Sequence, residues 1–178
     1  MSFLFQQITK QLKDQILPDF DAHIHQAKKN IQFLSNVNLN TNDYYDWQVT
    51  ACFYTGLHLI NAHLSQFDQQ YRTHENVKLV INPTTTTSLM KIPESEYVAY
   101  VALEKLSRRA RYLINVKDGK LMSDKPAFTY EKHLAKALRH LDKLLIYFGT
   151  IYNTNINRHN VRCSGINTQE LQFFKITS

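Results

Sequence analysis

Hydrophobic residues recur with the period of an α-helix along four long stretches of this chain. The clearest stripe has members separated by four, three, four, three and four positions: Leu134, Leu138, Leu141, Leu145, Phe148 and Tyr152. This spacing places all of its members on one side of a helix. The pattern predicts four long helices: one of about 17 residues that starts after the capping residue Asp19, then Asp43–Phe67, Glu94–Val116 and Phe128–Tyr152.

An additional helix is predicted before these four. Its apolar residues also lie at helical spacing: Leu4, Phe5, Ile8, Leu12 and Ile16. Pro18 then breaks or bends it, because proline lacks a backbone N–H. The asparagine-rich residues 35–42 predict a loop, residues 68–93 a long connection with a short strand or helical turn at Val77–Ile81, and residues 117–127 a basic loop.

The last part of the chain, residues 153–178, is rich in asparagine and has no helical pattern. Its apolar residues favour packing on the helices, and a mobile arm is the alternative. The predicted fold is therefore all-α: an antiparallel four-helix bundle with an additional N-terminal helix and a short irregular C-terminal tail. Residues 1–152 are expected to form a single domain, with residues 153–178 as its tail.

The amino-acid composition supports a helical fold and argues against several kinds of functional site. The 178 residues include only four glycines and four prolines, too few for the many turns of a β-sandwich or for a glycine-rich phosphate loop. Cys52 and Cys163 lie far apart, which predicts neither a disulfide framework nor a zinc site. We expect no metal and no cofactor. No apolar run approaches the roughly 20 residues of a membrane span and no signal peptide is visible, so we expect a cytoplasmic protein without a membrane partner.

Positive charge is concentrated in one part of the chain. The net charge is +6, and residues 105–143 contain eleven Lys and Arg against four acidic residues. Such a segment favours a polyanionic partner. The candidate nucleic-acid-binding residues follow the last two helices: Arg108, Arg111, Lys132, Lys136, Arg139 and Lys143. Phe128 and Tyr130 lie near them and are expected to stack on bases. The alternative is a solvated helix face.

Two segments resemble the HEPN-like superfamily of helical domains. Asp46–Leu64, which contains Phe53, Tyr54 and His58, is similar to the second helix of that family, and His74 follows in the next connection. A third set of residues is similar to its third helix: Tyr97, Leu103, Ser107, Arg108, Ala110, Arg111 and Tyr112. The resemblance covers about residues 20–152 and implies a small helical bundle, often dimeric, that acts on or binds RNA or nucleotides.

The resemblance also implies partners and a type of catalysis. Many HEPN-like proteins are metal-independent ribonucleases, toxins or defence components, and they often occur with an antitoxin or a nucleotidyltransferase. Their catalytic motif is an arginine and a histidine with four to six residues between them. No arginine of this chain has a histidine at that distance. The chain therefore resembles a bacterial branch of the superfamily that lacks the nuclease motif.

Three functions stay open on the sequence alone. The first is binding of RNA or nucleotide without catalysis. The second is a ribonuclease toxin or defence protein that uses His58 or His74 with an arginine such as Arg72, because histidine is suited to acid–base catalysis near neutral pH. The simpler interpretation of His58 is a core histidine held by one hydrogen bond. The third is a homodimeric protein-interaction module.

Overall fold

The chain is mostly helical, as predicted. The computed structural model describes residues 18–114, 116–117, 120–121 and 125–177, and the predicted helix at residues 3–16 lies outside these ranges. The described helices are α1 (Phe20–Asn40), α2 (Tyr45–Ser65), α3 (His74–Ile81), α4 (Glu94–Tyr112) and α5 (Glu131–Tyr152). Short strands form two pairs: β1 (Val116–Lys117) is antiparallel to β2 (Lys120–Leu121), and β3 (His159–Val161) is parallel to β4 (Phe174–Ile176).

Helix α2 lies at the centre of the core. It packs against α1, α4 and α5, and α4 also packs against α5. A Cβ atom at Gly56 would lie 3.1 Å from the δ1 methyl groups of both Leu103 and Leu144. Glycine therefore lets α4 and α5 approach the central helix closely, at a cost in helix propensity of about 1 kcal/mol relative to alanine.

The largest differences from the prediction lie at the C-terminal ends of two helices. Helix α1 begins at the cap provided by Asp19, whose Oδ1 accepts a hydrogen bond of 2.8 Å from the N–H of Ala22, but it continues to Asn40 through most of the predicted loop. Buried Ser35 and Asn38 explain the difference, because their side chains donate hydrogen bonds to backbone carbonyls of the C-terminal tail at 2.8 and 2.9 Å. Helix α4 ends at Tyr112, four residues early, and Leu113 follows with a φ of 54°.

The C-terminal tail contacts the helices at several points. The carboxylate of Asp142 on α5 accepts hydrogen bonds from the backbone N–H groups of Gln172 and Phe173, at 3.0 and 2.7 Å. The carboxylate of Glu131 accepts two more from Ser164. Phe174 is fully buried, and β3 packs against α1. The described tail is therefore part of the packed structure.

None of the helices in the described ranges is both long enough and apolar enough to cross a membrane.

Candidate nucleic-acid interface

The C-terminal end of α4 meets the N-terminal end of α5. The N–H of Ala127 donates a hydrogen bond of 2.7 Å to the carbonyl of Leu113, and the Arg109 guanidinium donates two to the carbonyl of Phe128, at 3.0 and 2.8 Å. These contacts hold together two helix ends that both carry basic and aromatic residues. We call this place the basic end and define it by eight residues: Arg108, Arg109, Arg111, Tyr112, Phe128, Tyr130, Lys132 and Lys136.

The histidine His133 lies among the cations of the basic end. Its Nδ1 accepts a hydrogen bond of 2.9 Å from the N–H of Tyr130, and the two rings stack with centroids 5.9 Å apart. Burial, and after it the positive charges of Arg109, Lys132 and Lys136, together lower the pKa of His133 to about 4. The local potential is therefore positive enough to oppose protonation of this imidazole.

Aromatic rings lie exposed beside these cations. Phe128, Tyr130 and Tyr112 are 54%, 52% and 59% exposed, which is unusual for rings of this size. The ammonium of Lys132 lies 5.8 Å from the centre of the Tyr130 ring. Exposed rings next to basic groups are the elements that single-stranded nucleic acid requires, because bases stack on the rings and phosphates contact the cations.

The cations of the basic end have no acidic partner. Within the part of the chain that the structure describes, ion pairs form between Lys78 and Glu104 and between Arg139 and Glu170, and the five Arg and Lys residues of the basic end form none. No acidic residue among the described ones therefore neutralises these charges through an ion pair.

Arg139 differs from the other predicted cations of α5. Its guanidinium pairs with the carboxylate of Glu170 and donates a 2.7 Å hydrogen bond to the carbonyl of Gly165. The hydrogen bond to Glu170 raises the pKa of Arg139. Lys143, one turn further along, lines an open groove of about 570 Å³ together with acidic residues that include Glu96 and Glu170. The tail thus neutralises Arg139, one of the predicted nucleic-acid-binding residues, through an ion pair.

Arg111 faces α2 and lies among aromatic rings. Its guanidinium carbon is 4.9 Å from the ring centre of Tyr112 and 5.9 Å from those of Phe53 and Tyr54, and its Nε donates a 3.1 Å hydrogen bond to Ser107. The ring of His74 contacts the same Phe53 ring at 5.2 Å between centroids. The structure therefore brings Arg111 and His74 to one aromatic ring, as parts of α4 and α3.

The catalytic candidate His58 lies apart from Arg111 and His74 and contacts another histidine. Its Nδ1 is 3.1 Å from Nδ1 of His23 on α1. Burial, and after it the neighbouring His23, together lower the pKa of His58 to about 4. Both imidazoles are therefore neutral at pH 7. Arg72 is exposed in the connection before α3, and no contact joins His58 to Arg72 or His74 among the described residues.

Three residues of these sites were not selected from the sequence: Arg109, His133 and His23. Arg109 belongs to the basic segment, and its position one residue after Arg108 gave no reason to prefer it. His133 accepts a hydrogen bond from Tyr130 at the start of its own helix, and His23 contacts His58 on α2. No group of three or more His, Cys, Asp or Glu residues able to hold a metal occurs in the described ranges. Comparison with protein-family models, curated proteins and solved structures finds no match to this chain.

Proposed function

We propose that this chain is a HEPN-like helical domain that binds single-stranded RNA at the basic end and has no catalytic activity of its own. The observation that carries the proposal is that the adjoining ends of α4 and α5 carry three exposed aromatic rings and five cations for which the described residues provide no acidic partner. Phosphates would contact the cations and bases would stack on the rings. A free nucleotide offers the same two groups and is the smaller form of the same ligand.

The proposal includes a finer architecture than a mostly helical fold. We infer that α1, α2, α4 and α5 form an antiparallel four-helix bundle of the HEPN-like type. The pairwise packing supports this, since α2 contacts the other three helices and α4 contacts α5. The connection of four residues between α1 and α2 is also short enough to favour antiparallel neighbours.

Binding without catalysis is favoured over nuclease activity by the state of His58. A general base that acts on a ribose hydroxyl works best with a pKa near the operating pH, whereas the pKa of His58 is about 4. His74 with Arg111 is the better placed pair for the ribonuclease alternative, because both contact the Phe53 ring.

Self-association is a second candidate function, and a specific surface favours it. Phe33, Tyr44 and Trp47 are 49%, 57% and 58% exposed and line one apolar groove between α1 and α2. Exposed aromatic residues in a contiguous patch are typical of protein–protein interfaces. A homodimer through this groove is compatible with RNA binding at the basic end, and so is a cognate antitoxin or nucleotidyltransferase partner.

The test is fluorescence anisotropy with a labelled single-stranded RNA at several salt concentrations. The variant is Lys132→Glu/Lys136→Glu. The matched control, Lys28→Glu/Lys29→Glu, changes the charge by the same amount on exposed positions of α1. We expect the first variant to bind much more weakly and to reduce the salt slope by roughly 1.4, about 0.7 for each lost phosphate contact. Equal loss in both variants, or no binding by the wild type at low salt, contradicts the proposal.

A further inference from the structure

A cluster of aromatic side chains lies around Arg111, at the end of α4 that packs against α2. We call it the Arg111 cluster and define it by six residues: Phe53, Tyr54, His74, Ser107, Arg111 and Tyr112. The guanidinium carbon of Arg111 is 4.9 to 5.9 Å from three ring centres, within the range of cation–π attraction. Phe53 is fully buried, whereas Tyr54 and Tyr112 are 37% and 59% exposed. The cluster therefore extends from the core to the surface.

The guanidinium of Arg111 has a fixed orientation and unused donors. Its Nε donates a 3.1 Å hydrogen bond to the fully buried Ser107, and its Nη1 donates one of 3.3 Å to the hydroxyl of Tyr112. The N–H groups of Nη2 have no hydrogen-bond partner among the described residues, and no described carboxylate forms an ion pair with Arg111. A planar guanidinium held in this way is suited to bidentate recognition of a phosphate.

His74 adds a second polar group from another helix. Its ring contacts the Phe53 ring at 5.2 Å between centroids, and its side chain is half-buried. The 2.9 Å ion pair between Lys78 and the buried Glu104 joins α3 to α4, one turn from His74 on the first helix and one turn from Ser107 on the second. An imidazole keeps an N–H donor in either protonation state. His74 is therefore a second donor, at a position that the ion pair fixes relative to α4.

Donors on two separate helices favour a compact ligand with several acceptor oxygens. A terminal phosphomonoester has three free oxygens and a charge of about −1.5 to −2. A phosphodiester within a strand has only two free oxygens and a single charge, and the strand continues on both sides of it. Because three rings already lie close to the Arg111 guanidinium, a group from which the strand continues on one side only fits this place better.

We propose that the Arg111 cluster binds the terminal phosphate of the RNA strand that contacts the basic end. Arg111 donates hydrogen bonds to the phosphate from α4, and His74 donates from α3. Arg111 and Tyr112 belong to both the cluster and the basic end, so one strand can contact both. This preference rests on the RNA binding proposed above and narrows the ligand to RNA that ends in a phosphate.

Fluorescence anisotropy with three forms of one RNA tests the proposal. All carry the dye on an internal base, and they end in a 5′-phosphate, in a 3′-phosphate or in hydroxyl groups only. At about 0.15 M salt, where screening weakens non-specific attraction, the wild type is expected to bind a phosphorylated form roughly tenfold more tightly than the unphosphorylated form, because a charge-assisted hydrogen bond is gained. The two phosphorylated forms show which end is bound.

Variants show whether this preference comes from Arg111 and His74. Arg111→Gln is expected to reduce the ratio of the affinities to about 1, and Arg111→Lys to lower it although the charge is kept, because lysine lacks the planar fork. His74→Ala is also expected to lower it. The matched control is Arg108→Gln, which removes the same charge from an exposed position of the same helix; it is expected to weaken binding of all three RNAs without changing the ratio.

The outcomes separate this site from RNA binding in general. Equal binding of the three RNAs by the wild type overturns the terminal-phosphate site and leaves the RNA binding intact, whereas no binding of any form overturns both. A preference that survives Arg111→Gln, or that Arg108→Gln abolishes to the same extent, also overturns the site. If Arg111→Gln is not folded at the assay temperature by circular dichroism, Arg111→Lys and His74→Ala decide by the same criteria.

Discussion

Replacing Asp142 by alanine is expected to loosen the C-terminal tail and to destabilise the whole domain. The carboxylate of Asp142 is 4% exposed and accepts hydrogen bonds from two consecutive backbone N–H groups, those of Gln172 and Phe173. These two residues lie immediately before Phe174, which is fully buried and lies in β4. The side chain therefore fixes the tail at the point where it enters the core.

The size of the effect follows from the two hydrogen bonds. A hydrogen bond to a charged group contributes about 1.5–3 kcal/mol, and the two bonds of Asp142 are only partly buried, so water can satisfy part of the loss. Alanine also improves helix propensity at this position by up to about 0.7 kcal/mol. We expect the free energy of unfolding to fall by about 2–3 kcal/mol, a large fraction of the 5–15 kcal/mol typical of a domain.

Urea denaturation followed by circular dichroism measures this change. Asp142→Asn should fall between the wild type and Asp142→Ala, because the amide retains one acceptor oxygen while its NH₂ group faces the second backbone N–H. Asp21→Ala is the matched control, since Asp21 is exposed in the first turn of α1. An unfolding free energy for Asp142→Ala within about 0.5 kcal/mol of the wild type would refute the reasoning, because surface substitutions have effects of that size.

Three further predictions concern the interior. The pKa of His58 is lowered from its ordinary 6.5 to about 4 in the folded state, so the folded protein binds fewer protons than the unfolded one and its stability falls as pH drops from about 6.5 towards 4. Between pH 7 and pH 5, the free energy of unfolding should therefore decrease less for His58→Gln than for the wild type. An equal decrease in denaturation experiments at the two pH values would contradict this. Lys78→Ala should lower the free energy of unfolding by about 3 kcal/mol, because it leaves the buried Glu104 carboxylate unpaired. Adding Glu104→Gln should recover part of this loss, which is measured by denaturation of the single and double variants, and no recovery would contradict the prediction. Gly56→Leu should lower the melting temperature far more than Gly56→Ala, because the α-carbon lies against α4 and α5; similar melting temperatures would exclude the close approach.

The helices were predictable because their signals are local. The stripe from Leu134 to Tyr152 predicted a helix that starts at residue 128, and α5 starts three residues later at Glu131. The end of α1 was not predictable in the same way. Asn38 gives the pattern of a loop, yet it is buried and exchanges hydrogen bonds with Arg162, 124 positions away. A local pattern carries no information about a polar partner that distant.

The candidate site likewise has features that the local sequence predicts and features that depend on distant contacts. The spacing of Lys132 and Lys136 on one side of α5 was visible in the sequence, and so was the exposure expected of cations at those positions. The pairing of Arg139 with Glu170 was not visible, because it depends on how the tail returns to α5. Arg139 follows Lys132 and Lys136 at helical spacing, so the sequence alone does not distinguish it from them. Its ion pair with Glu170 is seen only in the folded structure.

Part of the positive charge at the basic end is electrostatically unfavourable when no ligand is bound. Arg109 and Arg111 lie in the last turn of α4, where the negative end of the helix dipole stabilises cations. Lys132 lies in the first turn of α5, where the dipole opposes a cation, and the surrounding charges also help to keep His133 neutral. Among the described residues, no ion pair with an acidic side chain offsets this repulsion at Lys132. A bound polyanion would offset this repulsion, and this is the contribution that the proposed RNA binding at the basic end predicts for Lys132.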